Sequence, residues 1–98
     1  MEFSTYMLHL EEFHQVNDTP QDMPAIIDKL REEFIEVLIA YQHGTDDETQ
    51  RELADLLNVT IWAMVRAGVD NPLWGGYKKL QETTAKYARG ETPRKNIG

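Results

Sequence analysis

The strongest constraint in this chain is a two-residue break, Gly44-Thr45, between two long stretches of helical period. The stretch before it begins between Asp22 and Pro24, where a first turn tolerates proline, and runs to about His43 before stopping at Gly44. The stretch after it opens on Thr45-Asp46-Asp47-Glu48, a capping box in which the threonine hydroxyl accepts a free backbone N–H and the glutamate reaches back. It continues to about Ala67 and is closed by Gly68. Two long helices joined by so short a turn should pack as an antiparallel hairpin.

Shorter helices flank the hairpin. Phe3, Tyr6, Met7, Leu10 and Phe13 recur at helical spacing and predict an amphipathic helix over about 3–16, ended by the turn formers Asn17-Asp18-Thr19-Pro20. Asn71-Pro72 opens a fourth segment, weakened at Gly75-Gly76 by about 1 kcal/mol per glycine relative to alanine. From Tyr77 to Arg89 that segment is plainly helical, and Gly90 ends it. No alternating strand pattern and no internal repeat occur. The expected fold is all-α: four helices in one domain over 1–90, with a loose tail over 91–98.

At about 100° per residue, the second helix lines up Ile26, Ile27, Leu30, Phe34, Val37 and Tyr41 as one apolar stripe, with Ile35 and Ile39 nearly opposite. A helix apolar on two sides needs cover on two sides, which a 98-residue monomer hardly supplies. Either the bundle is completed by a homo-oligomer, a dimer or dimer of dimers, or the two isoleucines stay exposed.

Charge narrows the partners. The net charge of −7 argues against binding a nucleic-acid polymer through its phosphates. Yet Lys78, Lys79, Lys86, Arg89, Arg94 and Lys95, six of the ten basic residues, fall in the last fifth, while the acids crowd the middle. That is either a solvated basic tail or one jaw of a site gripping a metal–phosphate ligand from two sides. No apolar run approaches a membrane span, and Met1-Glu2-Phe3 does not begin a secretory signal. With no cysteine, disulfides and thiolate metal sites are excluded, and a cytoplasmic protein is expected.

Glu33 and Glu36 project from neighbouring turns on one flank of the apolar stripe, and Glu52 and Asp55 repeat the arrangement on the next helix. Hairpin pairing would bring the four carboxylates together at the edge of the core. Like charges so close repel and resist desolvation, and a hard divalent cation removes the conflict. A single such pair would suit any solvated helix; two on consecutive helices favour a metal site.

These residues carry a resemblance. Arg31-Glu32-Glu33-Phe34-Ile35-Glu36 contains E-E-x-x-E and Glu52-Leu53-Ala54-Asp55 is E-x-x-D, a pairing similar to that of the all-α, MazG-like nucleoside triphosphate pyrophosphohydrolases over about residues 24–67. The resemblance implies a four-helix MazG-like bundle in which Glu33, Glu36, Glu52 and Asp55 hold Mg²⁺, with Mn²⁺ as a substitute. It implies catalytic roles for Glu33 and, as a water-orienting base, Glu32. The reaction would divide a (deoxy)nucleoside triphosphate into monophosphate and pyrophosphate. Lys79, Lys86 and Arg89 would contact phosphates, and His14, beside Phe13, would belong to the base pocket. Asn58 and Trp62 continue the Asp55 flank; the amide suits a base edge or sugar hydroxyl, and the indole either stacks on a base or packs in a core or between subunits. Trp74 either covers the site or staples the chain end.

Three rivals remain. A non-catalytic helical interaction module would not need all four presumed ligands. A di-iron carboxylate protein would use Glu-x-x-His, which neither motif supplies. A phosphoribosyl-ATP pyrophosphohydrolase lies within the same superfamily.

Overall fold

A computed structural model describes residues 1–17, 19 and 21–91. Four helices follow in order, α1 (Phe3–Val16), α2 (Met23–His43), α3 (Asp46–Arg66) and α4 (Pro72–Ala88), and the described residues contain no strand. The expected tail, with Arg94 and Lys95, lies outside the described residues beyond Glu91, as do Asp18 and Pro20 of the first turn. No described helix is long and apolar enough to cross a membrane.

Local chemistry fixes the helix ends. Asp22 caps α2 by accepting from the Ala25 N–H at 3.4 Å, with Pro24 in the first turn. Thr45 caps α3 by accepting from the Glu48 N–H at 3.2 Å, and Glu48 reaches back to the Thr45 hydroxyl at 3.4 Å. The box therefore closes through the hydroxyl. Asn71 accepts from the Trp74 N–H at 3.1 Å and so anchors α4 ahead of its two glycines, which the helix absorbs. Gly68, just past α3, adopts φ +94°, a left-handed conformation that strains side-chain-bearing residues. Gly44 serves differently: a Cβ there would lie 2.7 Å from Glu48 Oε2 and 2.9 Å from the Ala40 carbonyl, so the tight join has no room for one.

The chain forms two compact units, Met1–Gly68 with α1 to α3, and a second from Val69 onward with α4. In the first, α2 and α3 pack along their length as the antiparallel hairpin. Leu10 of α1, Ile26 of α2, and Ile61, Trp62 and Ala63 of α3 form the core, flanked by Tyr6, Met7, Leu30 and Val59. In the second unit the Trp74 and Tyr77 rings tilt against each other at 5.6 Å.

The packed face of α2 differs from the expected stripe. Ile26, Leu30, Glu33, Val37 and Ala40 are buried or half-buried, whereas Ile27, Phe34 and Tyr41 are exposed. On α3 the corresponding line is Thr49, Glu52, Leu56, Val59 and Ala63. Both lines alternate steps of three and four, the spacing of a helix–helix seam. Each carries a glutamate in mid-seam, where an apolar residue would ordinarily stand. Ile35 and Ile39 remain exposed, joined on α2 by Ile27, Phe34 and Leu38.

Candidate metal centre

The two seam glutamates define the site. Glu33 is only 6 % exposed, the one charged residue fully buried among those described. The preceding turn of α2 supplies Lys29, whose Nζ lies 3.3 Å from Glu33 Oε1 and 3.5 Å from Glu32 Oε2. The hydrogen bond to Glu33 holds the Lys29 ammonium above the ordinary lysine value, outweighing the opposite effect of burial. Glu33 Oε2 and Glu52 Oε2 are both buried without a hydrogen-bond partner. One carboxylate oxygen from each of Glu33, Glu36 and Glu52 falls within 4.8 Å of the others.

Unpaired anionic oxygens facing one another across a helix seam are costly, because burial removes the water that would otherwise solvate them. One lysine answers one oxygen. The remaining set, all oxygen and all carboxylate, is the chemistry a hard divalent cation selects. Glu33, Glu36 and Glu52 could hold such an ion. Asp55, one turn beyond Glu52, is exposed and stands outside this group of three; it lines a cavity that Glu33 also lines.

That cavity, about 960 Å³, lies within the first unit. Tyr6, Leu10, Phe13, Ile26 and Val59 give it apolar and aromatic walls, and Lys29, Glu32, Glu33, Asp55 and Asn58 line it as well. A large apolar recess with a few convergent polar groups is the usual form of a small-molecule site. Asn58 is hydrogen-bonded to the Tyr6 hydroxyl, which ties α3 to α1 on the cavity wall. Burial raises the Tyr6 pKa, and the phenol donates its hydrogen bond to Asn58 Oδ1.

His14 also lines the cavity. Its ring stacks on Trp62 at 4.0 Å and 11°, meets Phe13 edge-on at 5.2 Å, and hydrogen-bonds the Thr19 hydroxyl through Nδ1. Burial holds its pKa below the ordinary histidine value. Of the alternatives for Trp62, the structure places the indole in the core of this unit, 7 % exposed, with one face against His14. Lys79, Lys86 and Arg89 belong to the second unit, where Lys79 pairs with Glu82 at 3.3 Å and Arg89 with Glu91 at 2.7 Å.

Two of these residues escape a reading of sequence alone. Lys29 precedes Glu33 by one helical turn, a spacing that could have exposed the pair. Tyr6 meets Asn58 across 52 residues, and no local pattern signals it.

A family model described as phosphoribosyl-ATP pyrophosphohydrolase matches residues 7–83. No curated protein and no solved structure gives a significant match.

Proposed function

The chain belongs to the phosphoribosyl-ATP pyrophosphohydrolase family, and from that premise we propose that it hydrolyses nucleoside triphosphates between the α- and β-phosphates with the help of Mg²⁺. The products are a nucleoside monophosphate and pyrophosphate. The pair of buried, unpartnered carboxylate oxygens on Glu33 and Glu52 carries this reading, because a purely structural seam would fill those positions with apolar side chains.

Glu33, Glu36 and Glu52 would hold the ion, and Asp55, which lines the adjoining cavity, would serve as a further ligand. Bound there, Mg²⁺ neutralises phosphate charge and lowers the pKa of an attacking water. Glu32, exposed at the cavity and paired to Lys29, orients that water or accepts its proton. The aromatic and aliphatic wall of Tyr6, Leu10, Phe13 and Val59 takes the base, with Asn58 and His14 offering hydrogen-bonding groups at its edge. Lys79, Lys86 and Arg89 contribute phosphate contacts. The exposed apolar face of α2, with Ile35 and Ile39 at its centre, is covered by a second copy of the chain.

The family description favours a second reading of the substrate, phosphoribosyl-ATP, which shares the triphosphate and adds a ribosyl phosphate to the base. A panel of canonical and modified (deoxy)nucleoside triphosphates with phosphoribosyl-ATP, assayed with Mg²⁺ for separate release of monophosphate and pyrophosphate, tests both. Pyrophosphate from a nucleoside triphosphate is the expected result. Turnover of phosphoribosyl-ATP alone selects the second reading, and no turnover of any member overturns both.

A further inference from the structure

Among the described residues, Lys29 is the one cation paired with the acidic seam, and its contacts divide unequally. Its Nζ lies 3.3 Å from the buried Glu33 and 3.5 Å from Glu32, whose side chain is 66 % exposed. It satisfies one oxygen of Glu33 and leaves the other without a partner. A lysine in this place faces both ways. It offsets the repulsion among Glu33, Glu36 and Glu52, and it stands as a like charge beside any dication those carboxylates hold.

We infer that Lys29 is the resident counter-cation of the carboxylate site: its ammonium holds Glu33 in the metal-free protein and competes with a divalent ion for that carboxylate, so that it sets how tightly the metal binds. This rests on the metal site proposed above. The exposed Glu32 makes the exchange feasible, since Lys29 keeps a partner when Glu33 turns to the ion. Lys29 is a positioning residue, acting on the metal through Glu33.

The two roles have opposite signatures when the charge is removed. A buried carboxylate deprived of its partner is destabilising, so the metal-free protein loses stability. The site at the same time becomes more negative. A single charge facing a double charge across about 6 Å is worth about tenfold in affinity even at the dielectric of water. Lys29→Met, Lys29→Gln and Lys29→Arg are compared with the unaltered protein by metal-free melting and by Mn²⁺ calorimetry. The neutral variants should melt lower without metal and bind Mn²⁺ about tenfold more tightly, while Lys29→Arg stays near the parent in both. Lys29→Gln retains a hydrogen-bond donor for Glu33 and carries the test if the methionine variant does not fold without metal. Parent protein that binds Mn²⁺, with Lys29→Gln binding it equally or more weakly, overturns the inference while leaving the metal site intact. Failure of the parent and every variant to bind Mn²⁺ overturns the site itself.

Discussion

Replacing Glu52 with glutamine should make the metal-free protein more stable and the metal-loaded protein less so. Glu52 and Glu33 each bury an oxygen without a partner, and their nearest ligand oxygens lie within 4.8 Å. Two unit charges 4.8 Å apart repel by about 3.5 kcal/mol at an effective dielectric near 20. Glu36 completes the cluster from the exposed side and admits water, so screening reduces the gain to about 1–2 kcal/mol. For a domain of this size that gain raises the melting temperature by roughly 5–10 °C. Mg²⁺ at one hundred times its dissociation constant stabilises the parent by about 2.7 kcal/mol, and the variant should lose most of that increment. Thermal melts in chelator and in excess Mg²⁺ measure both effects. A Glu52→Gln protein that melts lower in chelator, or keeps the full Mg²⁺ increment, would refute the electrostatic reasoning.

If a second copy covers the α2 face, Ile35→Glu or Ile39→Glu should shift sedimentation from dimer or tetramer toward monomer, whereas a compact parent monomer at micromolar concentration would remove the proposal. The Lys79, Lys86 and Arg89 triple alanine variant should raise KM for a triphosphate, and unchanged steady-state kinetics would return those residues to the solvated surface. His14 gives a pH signature. Burial holds its folded pKa below the ordinary 6.5, so the unfolded chain takes up the proton first. Its part of the stability therefore falls as pH drops below 6.5 toward the folded value, then levels off. Melts of the parent and His14→Phe across about pH 5–8 should differ in slope just below pH 6.5 and run parallel above it.

The helix boundaries were legible because they are written locally. Asp22, Thr45 and Asn71 each cap through a side chain three residues from its backbone donor, and Gly44 and Gly68 mark ends that short-range geometry requires. The buried face of α2 was harder to read. A search for the most apolar stripe selects Phe34 and Tyr41 and rejects Glu33, yet packing turns Glu33 inward. The seam shows its spacing of three and four only once a carboxylate is allowed in it. E-E-x-x-E and E-x-x-D point to the turns where Glu33, Glu36 and Glu52 bring carboxylate oxygens within 4.8 Å of one another. They did not reveal that Asp55 faces the cavity from outside the group of three, which depends on how α3 rotates against α2. Trp62 shows the same limit. Its spacing from Asp55 suits a ligand contact, but a partner from α1, His14, occupies its face, and no pattern within α3 encodes that.

The identity of the phosphorus products, and their dependence on the seam glutamates, tests the proposed activity most directly. Phosphorus-31 NMR of a nucleoside triphosphate, incubated with Mg²⁺ and either the parent protein or Glu33→Gln, resolves pyrophosphate from orthophosphate in one spectrum. The parent should release pyrophosphate and monophosphate in equal amounts, only with the metal present, and Glu33→Gln should leave the triphosphate essentially intact. Orthophosphate with diphosphate from the parent, or undiminished pyrophosphate release by Glu33→Gln, would contradict it.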